Sequence, residues 1–198
     1  IAYGDAMGSG SAYFDSSVTG VSPTRTIYGQ YRSLVLGDET ANFVFGNITA
    51  SNFIVISLDR NRYKESVLPG SLSIRLTSGS NSLTLTDDSR ITTTNVFTDA
   101  GRLYNIVSGS QGTVYTGVNS TGWAGGASAV SGSYGWFLPD IGTLILNPLA
   151  LSGSVAAGGM ALPISRSNNS DGRNNQTFYK AISASGAFLL NSQETITS

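Results

Sequence analysis

The chain has 198 residues with 24 Gly, no Cys, no His and only 12% charged side chains, and 11 Lys and Arg against 12 Asp and Glu leave a net charge of −1. Without cysteine there is no disulfide framework, thiolate zinc site or cysteine nucleophile; without histidine there is no Ser-His-Asp triad, no HExxH zinc site and almost no transition-metal site. Carboxylate, lysine, tyrosine and hydroxyl chemistry survive, and the lack of a sustained basic run gives no electrostatic footprint for nucleic acid or an anionic membrane.

A chain of this length can bury roughly 70% of its unfolded surface, so it can hold its own core. Low charge beside 40% hydrophobic residues and abundant Ser, Thr and Gly reads as a β-rich protein made soluble by hydroxyls and amides. No apolar run approaches the ~20 residues that a membrane helix needs. The first residues, IAYGDAMGSGS, have neither the basic start nor the apolar stretch of a signal peptide, and Ile1 is not an initiator Met. The last, NSQETITS, stop as a Thr/Ile alternation begins, so the chain is expected to be one piece of a longer polypeptide.

In chain order, the first expected element is a helix. Ser22 can cap it, Pro23 suits its first position, and Ile27, Tyr31, Leu34 and Val35 recur at helical spacing before Gly37 ends it. Asn42 to Phe45 and Phe53 to Leu58 read as two strands, the second fully buried. The charged DRNRYKES segment, Asp59 to Ser66, reads as a turn or a single short helical turn before Pro69 and Gly70. Leu72, Ile74 and Leu76, then Leu83 and Leu85, alternate around turn residues at Gly79 to Asn81, which predicts a hairpin.

Further strands are expected near Leu103 to Val107, Gly112 to Gly117, Tyr134 to Leu138 and Gly142 to Leu146, with NPLAL, Asn147 to Leu151, as a short capped helix. TGWAGGASAVSGS reads as a long loop, SGSVAAGG as a flexible tract and SRSNNSDGRNN as the most disorder-prone stretch. Phe178 to Ile182 and Phe188 to Leu190 read as strands around a turn at Gly186. The sum is mainly β with a few short helices, β-sandwich-like or α+β, with mostly antiparallel strands. We expect one β-rich domain over 1–198, with a possible subdivision near 97–101.

Few residues suggest chemistry. Asp87 and Asp88 read as a solvated turn, because neighbouring strand residues face opposite ways and no third carboxylate converges on them. NNSDGRNN lacks the spacing and terminal Glu of a calcium loop, and the sequons at Asn47, Asn119, Asn168 and Asn175 arise readily by chance in such a composition. Lys180 in FYKAIS reads as a solvent-facing lysine on a strand. Trp123, with Trp136 and Tyr134, could form a platform for stacking sugars, although Trp136 reads better as a core anchor and Trp123 as a contact to a partner subunit. Arg60, Arg62, Tyr63 and Lys64 would set several long side chains at one sheet rim, either salt-bridged to Asp59 and Glu65 or facing a partner. No metal, cofactor or catalytic set is expected.

The runs SPTRTIYGQYRSLVLG, FIVISLDRNRYKESVLPGSLSIRL with SLTLTDDS, YGWFLPDIGTLILNP and FLLNSQETITS resemble, in this order, segments of structural virion proteins of contractile-tailed bacteriophages, especially their marine and cyanobacterial members. The resemblance touches most of residues 22–96, residues 133–151 and the end of the chain. It implies a tail or baseplate component in a phage particle, assembled in the host cytoplasm, with other virion subunits as partners and with no active-site residue to transfer. Arg60, Arg62, Tyr63, Lys64 and Trp123 are then the expected interface residues. A glycan- or receptor-binding module is the alternative expectation. A carboxylate-dependent glycosidase ranks below it, since it needs two acidic groups about 5 to 9 Å apart from a stock of Asp59, Glu65, Asp87, Asp88, Asp99, Asp140 and Glu194.

Overall fold

The computed structural model describes residues 1–8, 23–115, 133–165 and 173–184, together with the backbone of 188–189 and 192–193. Its strands are β1 (Ala2–Asp5), β2 (Phe43–Phe45), β3 (Ile48–Ala50), β4 (Asn52–Ser57), β5 (Ser66–Val67), β6 (Ser73–Ser78) and β7 (Asn81–Asp87). They continue as β8 (Val96–Thr98), β9 (Gly101–Ser110), β10 (Thr113–Val114), β11 (Gly135–Leu138), β12 (Thr143–Leu146), β13 (Phe188–Leu189) and β14 (Ser192–Gln193). The helices are α1 (Thr24–Leu36), α2 (Pro148–Ser152) and α3 (Arg173–Ser183), with single 3-10 turns at Arg60–Arg62, Pro139–Ile141 and Val155–Ala157.

The main sheet runs β1-β4-β12-β11-β9-β7-β6-β13, with β8 and β10 pairing on β9, and small two-stranded sheets form from β2 with β3 and from β5 with β14. Every pairing is antiparallel. The protein is therefore mainly antiparallel β with three short helices, as the strand spacing predicts. Residues 97–101, the possible subdivision, hold the tight turn between β8 and β9, two strands of one sheet.

Side-chain alternation divides the core in two. On one face Tyr3, Ile54, Ile56, Leu144, Phe137, Tyr104, Ile106, Leu85 and Ile74 line up across paired strands and are covered by Ala150 and Leu151 of α2, Phe178 and Ala181 of α3, and Met160, Leu162 and Ile164. On the other, Phe53, Val55, Ile145 and Leu138 meet Tyr28 and Val35 of α1 and Phe43, Phe45 and Ala50 of the β2–β3 hairpin. Covered on both faces, β4 loses the usual polar alternation and reads FIVI. Tyr28 stacks on Phe53 at 5.3 Å between ring centroids, and Phe43 meets the same ring edge-on at 5.0 Å.

Helix α1 begins after Pro23, which occupies the cap position and supplies no side-chain hydrogen bond, and Ser22 lies outside the described residues. Gly37 ends the helix in the left-handed region at φ 63°, its N–H donating to Ser33 O. The buried stripe is Thr24, Tyr28 and Val35, while Leu34 is turned to solvent. The polar residues between Phe45 and Phe53 contain a strand missed by the sequence reading: Ile48 pairs with Phe45 across Gly46 and Asn47.

Three expectations are overturned. Phe178 to Ile182 is not a strand but the centre of α3, where Asn174, Phe178 and Ala181 recur on one buried face; Lys180 is exposed on a helix. SGSVAAGG is not a loose tract, since Ala157, Gly158 and Gly159 donate to Ser154 O and Val155 O and lead directly into buried Met160. Most of SRSNNSDGRNN lies outside the described residues, but its last three residues begin α3. Asp87 and Asp88 are not solvated: Asp87 is fully enclosed and accepts from Gly70 N and Ser89 Oγ, while Asp88 accepts from the backbone and side-chain amides of Asn105.

Candidate functional site at one end of the sheet

At the end of β4 the chain must leave a doubly covered sheet, and it does so through charged residues. Asp59 accepts from Asn61 N at 3.0 Å and caps the 3-10 turn Arg60–Arg62. Arg60, Arg62 and Lys64 are exposed, whereas Tyr63, expected beside them at an interface, is only 7% exposed and belongs to the core. Arg60 covers it, with its guanidinium 4.6 Å from the ring centroid and Nη1 donating to Tyr63 O at 2.9 Å. The ring also packs on Gly142, at φ 57°, where a Cβ would lie 2.5 Å from Tyr63 Cε1. Arg60 is thus held by its guanidinium, and the cationic rim consists of Arg60, Arg62 and Lys64 without the tyrosine.

The register brings three further pieces to this end. The β11–β12 turn carries Asp140, which accepts from Arg102 N at 2.7 Å and from Arg102 Nε and Nη2 in a forked ion pair. Arg102 Nη2 also reaches Ser66 Oγ at 3.3 Å, so β9, the turn and β5 are tied together. Burial pushes the Asp140 carboxyl up, but hydrogen bonds from the Arg102 side chain and backbone, with its charge, outweigh this and hold it below the ordinary carboxylate range. The side-chain hydrogen bonds to Asp140, with its charge, push the Arg102 guanidinium further up against the opposing effect of burial. The end of α1 joins through Asp99 N, which donates to Val35 O at 3.3 Å.

The third piece is β8. It pairs with β9 on one side and with no other described strand on its outer side. Val96 is 52% exposed and Phe97 67%, although successive strand residues face opposite ways, so neither face of this short arm is covered. Strand edges of this kind are usually blunted with Lys or Pro, and here the stretch from Ile91 to Thr98 has neither. Sequence reasoning missed Val96 and Phe97, although two large apolar residues set between TTTN and TDAG were a visible signal.

Trp123 lies outside the described residues. Tyr134 cannot serve as an exposed sugar platform: it is buried, its hydroxyl donates to Gly158 O at 2.7 Å, and burial pushes its pKa up to about 12. Trp136 packs on Phe43 and Phe45, as expected of a core anchor. Among the described residues no group of three acidic side chains could hold a metal ion, and Asp87 and Asp88 turn to different partners. Compared with family models, curated proteins and solved structures, the chain has no match.

Proposed function

We propose that this chain is a structural component of a tailed-phage virion, of the tail or baseplate, acting through subunit–subunit interfaces and not as an enzyme. The observation that carries the assembly reading is the β8 arm, with Val96 and Phe97 exposed on an unblunted edge at the same end of the sheet as Arg60, Arg62 and Lys64. Arginine and aromatic side chains around an apolar centre are the composition that protein interfaces favour, and an open edge strand offers backbone hydrogen bonds to a neighbouring chain. The sequence resemblance supplies the virion context, in a particle assembled in the host cytoplasm. Many copies at high local concentration need only modest individual contacts.

The test is a photoreactive residue at exposed position 95, next to the arm, with the chain mixed with tail and baseplate subunits of a contractile-tailed phage. Cross-links to another subunit are expected, and lost on replacing Val96 and Phe97 by lysine while the melting curve is unchanged. A monodisperse monomer that cross-links to none of them would overturn the reading.

A further inference from the structure

The open edge at β8 is bracketed by opposite charges. Ile91 to Thr98 holds no charged residue, and Ile91 is exposed like Val96 and Phe97; Arg90 precedes this stretch and Asp99 follows it. Both are exposed, and neither side chain has a hydrogen bond or ion pair among the described residues. Two turns fix their places. Arg90 lies in the turn closed by Ile91 N and Thr92 N, which both donate to Asp88 O at 3.0 Å, and its side chain rests on Gly70 and Gly112, where a Cβ would lie 2.8 and 2.5 Å from Nε. Asp99 lies in the turn into β9, where its N–H is bonded to Val35 O and its carboxylate rests on Gly37. Strand β9 sets the spacing between them. Asp88 N donates to Asn105 O and Thr98 pairs with Gly101, so the two charges lie beyond the ends of a stretch of β9 of roughly 13 Å. Leu103 is midway along that stretch, and its partner is Val96.

The edge therefore runs positive, apolar, negative, and an antiparallel copy of it runs negative, apolar, positive. We propose that the subunit docking on β8 is a second copy of this chain, with its own β8 antiparallel to the first about a two-fold axis near Val96. Val96 then meets its copy, Phe97 comes within the diagonal reach of cross-strand aromatic side chains, and Arg90 of each copy faces Asp99 of the other. The open backbone groups along β8 gain partners in the same step. A partner of one sign would satisfy one flank and be repelled at the other. This inference rests on the assembly reading and names the partner.

The test is sedimentation equilibrium of the full chain at up to about 1 mM, where even a weak specific contact is populated. A reversible dimer is expected. Arg90→Asp and Asp99→Arg each set two like-charge pairs across the axis, and each is expected to weaken dimerisation by roughly tenfold with the melting curve unchanged. Mixed in equal amounts, the two variants regain both opposite-charge contacts and are expected to dimerise with each other about as well as the parent, which a purely local role of either residue would not produce. A second readout changes neither charge. With Asn95 replaced by a photoreactive residue in a mixture of unlabelled and isotope-labelled chains, mixed-isotope cross-links are expected to residues 90–99 of the other copy. A chain that stays monomeric at that concentration, cross-links that land elsewhere, or folded charge variants that do not recover on mixing would overturn the proposal. If that monomer still cross-links to tail or baseplate subunits, the assembly reading stands and only the second copy as partner falls.

Discussion

The forked contact between Arg102 and Asp140 joins residues 38 apart in sequence, and nothing in either local segment announces it. The Asp140 carboxyl is held below its unfolded value, so the stabilisation is present above that value and is lost as pH falls through the folded one. Asp140→Asn is expected to cost about 1 kcal/mol near neutrality, discounted for the partial exposure of the pair. Urea midpoints of variant and parent should begin to converge as pH falls below the ordinary carboxyl value of 3.8 and meet only below the lowered folded value, where the parent carboxyl is also neutral. The opposite sign holds for Tyr134, whose pKa is raised to about 12 from 10.0 by burial. Its contribution is complete below the unfolded value and is lost as pH climbs through the folded one. Tyr134→Phe is expected to cost about 1 kcal/mol, through the lost bond to Gly158 O, and to flatten the fall in stability on the alkaline side. Gly142 joins backbone and packing: an alanine would meet both the left-handed φ and the Tyr63 ring. Gly142→Ala is expected to lower stability by about 2 kcal/mol, measured by denaturant unfolding.

The elements that were legible in sequence are those whose local period and punctuation agree. The β6–β7 hairpin alternates on both arms around a two-residue turn at Gly79 and Ser80, and NPLAL carries its own cap in Asn147. Helix α3 was misread because Phe178 to Ile182, taken alone, is apolar and aromatic enough for a strand. The decisive residue was Asn174, a polar side chain buried one turn before Phe178, where it holds Ser165. Read from Asn174 onward, the spacing is helical. Phe178→Ala should therefore leave a cavity beneath a helix and cost ~3–5 kcal/mol, whereas Tyr179→Ala, on the exposed face, should change the unfolding midpoint little. The reverse order, with Tyr179 the more costly, would restore the strand assignment.

For the molecule as a unit, the ends of the sheet differ in what they offer. One end gathers cations and an uncovered apolar arm from segments as far apart as residues 60–64, 96–98 and 139–142, and the other holds a neutral, hydroxyl-lined cavity between β3 and α2. Of the expected interface residues, Arg60, Arg62 and Lys64 do reach the surface, Tyr63 turns inward, and Trp123 falls outside the described residues. The assembly reading predicts that salt weakens association if the cations contribute and that Val96 and Phe97 dominate it if apolar burial does. Comparing the Lys-substituted arm with Arg62→Ala in sedimentation at low and high salt separates the two.

Composition and period alone set the class of this protein: missing histidine and cysteine closed off most catalytic chemistry, and two-residue alternation between glycine turns required antiparallel strands. These are short-range properties, carried by residues within a few positions of one another. Which carboxylates are buried, which tyrosines are core, and which apolar residues remain exposed were decided only when strands distant in sequence came into register. Tyr63 and Phe97 show the difference. Both are aromatic residues in polar surroundings, yet one is buried in the core against Arg60 and Gly142 while the other stands on an uncovered arm, because exposure depends on neighbours supplied by the rest of the chain.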